Sequence, residues 1–406
     1  MMRTLHRWPG LVLAALLSLM ALSGAALSLF PALEAVQAPT VPDRLSVAEL
    51  AARVQAHHPG LEQIKRTPSG QITAWWFEGE QPGSAVVDPA TGRDVASADP
   101  SPVQRWLTTL HRSLFLGDVG RGITAAGALG LLGLCWSGLW LVARRTGGWR
   151  RWLTRLHGPL AGRLHTEIAR VAVSGLLLSS LTALWMSAGT FGLISVESAR
   201  LEPPATVSGQ AALPLAQLEA LRRTPVTALR ELSFPLSGDP QAVYTLRTPE
   251  GLGAVDAGTG KLLAWQALGL EERLSEAMLM LHTGQGAAVL GLLLGLMALG
   301  VPLLGLTGVW RWWSGWCNRP ELRGNAPAAQ AETVVLVGSE GGSTWGFAAT
   351  LAEALRSAGQ SVHVTALRDF APARYRHAQR HLILTATYGD GDAPASAQGF
   401  LDRLQA

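Results

Sequence analysis

Lysine is almost missing from these 406 residues: Lys65 and Lys261 stand alone, and arginine carries nearly all the positive charge. That imbalance implies nothing about function. Charged residues of all kinds make up only 15% of the chain against 48% hydrophobic ones, which argues against an ordinary soluble protein and for a membrane protein. Cysteine is equally scarce. Cys135 lies inside one apolar run and Cys317 just beyond another, which argues against a disulfide framework. The net charge of +4 does not imply nucleic acid, because the arginines cluster beside apolar runs, where membrane orientation explains them.

Four runs are long enough to cross about 30 Å of hydrocarbon: residues 8–33, 119–143, 168–194 and 287–310. The first follows Arg3 and Arg7 like a signal sequence, but it outlasts a normal signal core, so the chain is expected to keep it. The connection 144–163 holds Arg144, Arg145, Arg150, Arg151, Arg155 and Arg163 without one acidic residue, and Arg311, Arg319 and Arg323 follow the fourth run. The positive-inside rule places these segments and the N-terminus in the cytoplasm. The long loops, roughly 35–115 and 195–280, then lie outside.

Those loops read as copies of each other. "SVAELAARVQAHHPG" and "LPLAQLEALRR" are helical in spacing; "QITAWWFEG" with "SAVVDPATGRDV", and "AVYTLRTPEG" with "LGAVDAGTGKLL", are strand-like around Asp-x-x-Thr-Gly turns. Each copy leads through "WLTTLHRSLFLG" or "AMLMLHTGQG" into a span. Self-similarity on this scale argues for duplication of a unit of span, loop domain and span. The arrangement resembles the PepSY-associated transmembrane family over about residues 1–320. The resemblance implies a first span at 1–34, an outer module at 35–115, the second and third spans at 116–194, a second outer module at 195–280, and a fourth span at 281–316.

Four of the ten histidines fall at corresponding points of the repeat. His6 and His165 mark the inner ends of the first and third runs; His111 and His282 mark the outer ends of the second and fourth. Two imidazoles from facing helices can hold a haem iron axially, a six-coordinate arrangement suited to electron transfer. Two such haems would divide the hydrocarbon core into shorter hops. Contact with headgroups or helix capping is the alternative for any one of these histidines, and His157 competes with His165. No Cys-x-x-Cys-His occurs, so the haems would be b-type. Haem-bearing reductases within the resembled family agree with this. His57 and His58, beside Pro59-Gly60, read as solvent-exposed turn residues.

After a linker at 317–332 the character changes. "TVVLVGSEGGSTWGFAATLAEALRSAGQSVHVTAL" reads as strand, loop, helix and strand, and "HLILTATYGDGD" as a third strand with its loop. This is an open parallel α/β pattern, with ligands expected beyond the strands' carboxyl ends. Ser339, Glu340, Gly341, Gly342, Ser343 and Thr344 put N–H groups and hydroxyls at a helix start, suited to a phosphate monoester. Neither a Walker motif nor G-x-G-x-x-G is present. The two loops resemble the flavodoxin-like domain of sulfite reductase flavoproteins, over residues 333–406. The resemblance implies FMN, with its phosphate on the first loop, its ring lined by Ala386, Thr387, Tyr388 and Gly389, and Asp390 and Asp392 at the edge. Gly341 stands where that family has a hydroxyl. Only half of such a domain is represented, so the sequence reads as a fragment whose continuation would carry an FAD- and NADPH-binding reductase module.

The expected fold is therefore multi-domain: a four-span α-helical transmembrane bundle, two small α+β PepSY-like outer modules, and a partial flavodoxin-like α/β domain. The expected function is a bacterial inner-membrane, flavin-dependent oxidoreductase. Electrons would run from NADPH and FAD, on a cytoplasmic module or partner, to FMN, two haems and a periplasmic acceptor such as ferric-siderophore iron. The competing expectation is a membrane-anchored binding or peptidase-regulating protein with a vestigial tail.

Overall fold

A computed structural model describes residues 2–156, 159–194, 201, 206–235, 243–317, 322–339, 342–387, 393–397 and 399–405. In chain order the helices and strands are α1 (Met2–Leu27), α2 (Leu29–Gln37), α3 (Val47–His57), β1 (Leu61–Arg66), β2 (Ile72–Glu78), β3 (Gln81–Val87), β4 (Asp94–Ser97), α4 (Pro102–Ser113), α5 (Gly117–Thr146) and α6 (Leu160–Thr190). The repeat continues with α7 (Glu219–Arg223), β5 (Glu231–Ser233), β6 (Val243–Arg247), β7 (Gly251–Asp256), β8 (Leu262–Ala267), α8 (Leu270–Thr283), α9 (Ala288–Ala298) and α10 (Gly300–Cys317). The C-terminal region adds β9 (Thr333–Gly338), α11 (Ser343–Ser357), β10 (Val362–Ala366), β11 (Arg380–Thr385) and α12 (Phe400–Gln405). The chain forms two compact units, one of residues 1–12, 134–170 and 303–406, the other of 13–133 and 171–302.

Four helical segments are apolar and long enough to cross a membrane: Met2–Gln37, Gly117–Thr146, Leu160–Thr190 and Ala288–Ser314. Two of them are interrupted, and proline explains both breaks. A proline ring collides with the carbonyl four residues before it and offers no N–H. α1 stops at Leu27, four residues ahead of Pro31, and α9 stops at Ala298, four ahead of Pro302.

The two expected α+β modules share a single eight-stranded antiparallel sheet, ordered β4-β3-β2-β1-β5-β6-β7-β8. Its centre is the pairing of Gln63 with Ser233, Ile64 with Leu232, and Lys65 with Glu231. Ile64 and Leu232 point into one core, fully buried with Leu50, Val54, Ile72, Leu218, Leu221 and Leu229 from both copies. Each such side chain contributes about 1.5–3 kcal/mol. On the opposite face, Gln63 Nε2 donates to Glu231 Oε1 at 2.7 Å, and Lys65 pairs with Glu231 at 3.4 Å.

The Asp-x-x-Thr-Gly turns recur in three dimensions. Asp88 accepts from Ala90 N (3.0 Å) and Asp256 from Gly258 N (2.7 Å), with Gly92 and Gly260 at positive φ in each. The helices of the copies differ. α3 is a full helix with a capping box between Ser46 and Glu49. The corresponding "LPLAQLEALRR" forms only a turn of 3-10 helix at Leu215–Gln217 and the short α7. Leu218 is extended between them, and Pro225 prevents a longer run.

The C-terminal region has a parallel sheet ordered β10-β9-β11. β9 is buried along its whole length, as a central strand covered on both faces must be. α11 covers one face through Val335, Val337, Ala348 and Ala352, while Leu336, Leu367, Phe370 and Tyr375 fill the other.

Two outcomes follow from the shared sheet. Leu232→Ala should cost about 2–5 kcal/mol and raise protease cleavage in 61–97 as well as 231–267; cleavage confined to the second copy would mean two independent modules. Burial works to raise the Asp256 carboxyl, but hydrogen bonds from Ser208 N, Ser208 Oγ, Gly258 N and Thr259 N outweigh it and hold the group below the usual carboxylate range. The stability this gives is present above the unfolded-state value and is lost as pH falls through the folded one. Asp256→Asn should flatten the acid limb of melting temperature against pH.

Candidate functional site

The four repeat-related histidines come together in twos. His6 on α1 and His165 on α6 have ring centres 6.3 Å apart with planes at 89°. His111 on α4 and His282 on α8 also stand 6.3 Å apart, with planes at 46°. The second pair does not open the spans, as the sequence suggested. His111 lies in the last turn of α4, and Leu114 and Phe115, both at positive φ, turn the chain before α5 begins. His282 likewise lies in the last turn of α8, which Gly284 ends at φ 75°. His157 lies outside the described residues. Among the described residues no three His, Cys, Asp or Glu side chains gather as a metal cage would.

Each of the four rings is hydrogen-bonded through Nδ1 to a hydroxyl of a facing helix. His6 meets Ser137 Oγ at 2.8 Å, and His165 meets Thr307 Oγ1 at 2.9 Å. His111 meets Ser23 Oγ at 3.0 Å, and His282 meets Thr182 Oγ1 at 2.9 Å. A small residue follows each hydroxyl: Gly24, Gly138, Ala183 and Gly308. A Cβ at Gly24 would stand 2.9 Å from His111 Cε1, and one at Gly138 would stand 3.3 Å from His6 Cε1. The sequence reading missed these four hydroxyl residues. Their signal is a Ser-Gly, Thr-Gly or Thr-Ala step recurring at matched positions in all four spans.

His58 departs from expectation. It is not a solvent-exposed turn residue: its ring stacks on Trp76 at 3.6 Å, and Nε2 meets Asp94 Oδ1 at 2.9 Å. The first residue of β4 supplies that carboxylate, a long-range partner with no local sequence signal. His57 is exposed.

In the C-terminal region the two predicted loops emerge side by side. Gly338 pairs with Thr385 at the carboxyl ends of β9 and β11, and Ala386 N donates to Gly338 O at 2.9 Å. A Cβ at Gly338 would run into Thr385. Ser339 Oγ accepts from Gly342 N at 3.0 Å, and Gly342 takes φ 86°, turning the chain into α11. Ser396 Oγ braces the loop from behind, within 2.6 Å of Ser339 N and 2.9 Å of Ser339 O. Thr344 is buried in the first turn of α11. The side chain of Ser343, and residues Glu340, Gly341, Tyr388, Gly389, Asp390 and Asp392, lie outside what is described. Ala386 and Thr387 continue directly from β11.

Comparison with known proteins separates the same two regions. The family model for the PepSY-associated TM region matches residues 3–314, and the flavodoxin model matches residues 335–406. The "Sulfite reductase [NADPH] flavoprotein alpha-component" of Bacillus subtilis (strain 168) is 35% identical over 79 residues, which is 20% of this chain and 13% of that relative. The chain thus spans a small part of that relative's length.

The close approach of Gly24 to His111 is open to test. Gly24→Leu should overpack the site and destabilise by about 1–3 kcal/mol in thermal unfolding. Gly122→Leu, where a Cβ meets open space, should be near neutral.

Proposed function

The chain belongs to the PepSY-associated TM region family, and from that premise we propose a transmembrane oxidoreductase that carries electrons from a cytoplasmic flavin, by way of two b-type haems, to a periplasmic acceptor. The flavodoxin match at residues 335–406 supports flavin-based electron transfer in general. The observation that carries the finer reading is the doubled histidine pair. Two imidazoles facing one metal ion from opposite sides, at about 2 Å per metal–nitrogen bond, would have ring centres about 6 Å apart. Both pairs meet that spacing, and both leave Nε2 available while Nδ1 is engaged. A haem with two imidazole ligands supplies one-electron transfer and offers no open position to a substrate.

In this reading His6 and His165 hold one haem, and His111 and His282 the other. Gly24, Gly138 and Gly308 keep space beside the rings. Ser339, Glu340, Gly341, Gly342, Ser343 and Thr344 receive the FMN phosphate. Ala386, Thr387, Tyr388 and Gly389 line its ring, with Asp390 and Asp392 at the edge. Support comes from the strand order, since sheets of order 2-1-3 open their ligand crevice at the switch between the first and third strands, where flavodoxins hold FMN. FAD and NADPH belong to a further module or a partner. The arginines of 144–163 favour a bacterial inner membrane with this segment and the flavodoxin-like region inside. The segments 35–115 and 195–280 are then PepSY-like and periplasmic, and ferric-siderophore iron is the acceptor.

An absorption spectrum of the purified full-length protein tests this. It should show a b-type Soret band and bound FMN, and His6→Ala with His165→Ala should remove one haem and leave the other. A folded, colourless protein would overturn the reading in favour of a membrane-anchored binding or peptidase-regulating protein. Yellow protein without a Soret band would leave only the flavin half.

A further inference from the structure

The four hydroxyls do more than touch the rings. A hydroxyl has one proton, and in each case its own helix can take it. Ser23 Oγ lies 2.9 Å from Leu19 O, Ser137 Oγ 3.2 Å from Leu134 O, Thr182 Oγ1 2.8 Å from Leu178 O and Thr307 Oγ1 2.8 Å from Leu303 O. Bonding back to the preceding turn is the ordinary habit of Ser and Thr inside helices. With the proton committed there, the oxygen presents a lone pair to the ring, and the ring nitrogen facing it must be an N–H donor. The proton of each imidazole then sits on Nδ1, and Nε2 carries the free lone pair. The side-chain hydrogen bonds of the four rings are all made at Nδ1.

The pattern is built twice. His6 and Ser23 stand at the same interval as His165 and Thr182, and His111 and Ser137 match His282 and Thr307 to within one residue. Each span thus presents a hydroxyl to the histidine of its neighbour, in both copies of the repeat.

We infer that Ser23, Ser137, Thr182 and Thr307 are positioning residues that fix the tautomer and ring orientation of His111, His6, His282 and His165, so that Nε2 is the metal-binding nitrogen at all four. This deepens the reading of the histidines as axial ligands and rests on it. Carbonyl or carboxylate partners usually hold the far nitrogen of a ligating histidine. A neutral hydroxyl, itself tied to the helix, is a weaker acceptor and keeps the imidazole neutral without adding charge among apolar side chains.

The test uses full-length protein labelled with 15N at histidine, first without haem and then loaded. Before loading, the wild type should show the four histidines protonated at Nδ1. Ser137→Ala and Thr307→Ala should spread the proton over both nitrogens at His6 and His165, while Ser137→Thr and Thr307→Ser restore the wild-type pattern. After loading, the alanine variants should bind haem at that pair about 10–100-fold more weakly with a shifted midpoint potential, and the rescue variants should not. Nε2–H tautomers in the wild type would overturn the inference. So would alanine variants with unchanged tautomer, affinity and potential. A wild type that takes up no haem, yet shows Nδ1–H, removes the haem reading and leaves the hydroxyls as the cause of the tautomer.

Discussion

An imidazole among apolar helices has two nitrogens to satisfy and no water to do it. Every repeat-related histidine here settles one of the two, Nδ1, against a hydroxyl on a neighbouring helix. Much of the local sequence follows from this bond. Glycine comes after three of the four hydroxyls, and at Gly24 and Gly138 the ring lies closer to the helix backbone than a Cβ comfortably allows. The α4 and α8 helices end within a turn of their histidines, holding the rings toward the spans before the chain turns into α5 and α9.

Duplication gives the second organising fact. Neither copy closes its own core: β1 and β5 supply the central pairing, and side chains from both copies fill one apolar layer. The crossing is reinforced at the helix starts, where Val47 N donates to Thr224 O and Val226 N to Leu45 O. An eight-stranded sheet protects six of its strands on both sides, leaving only β4 and β8 as edges. β4 is short and exposed, as edge strands commonly are.

The spans were legible because apolar length is a strong, local signal. Their interruptions were written in Pro31 and Pro302 but are easily passed over inside an apolar run. The repeat was legible from its two Asp-x-x-Thr-Gly turns, whose hydrogen bonds are made within a few residues. The merger of the copies into one sheet was not, since register between β1 and β5 depends on a pairing across two spans. The histidine pairs could be proposed from position in the repeat alone. Their hydroxyl partners could not, because single Ser and Thr residues are ordinary in such helices and only their recurrence marks these. His58 was misread for a similar reason: its partners, Trp76 and Asp94, come from other strands. Of the flavodoxin-like loops, the strand ends, the Ser339 turn, Ala386 and Thr387 are described, and they follow from the two local strand-to-loop signals.

The central pairing also sets an order of events during synthesis. β1 emerges with β2, β3 and β4 long before β5 exists, and α5 and α6 are made in between. Until then the edge at Gln63–Lys65 lacks its β5 partner, and the core around Ile64 lacks Leu218, Leu221, Leu229 and Leu232 of the second copy. A nascent first copy is therefore a sticky intermediate, and its protection must come from outside the chain or from speed.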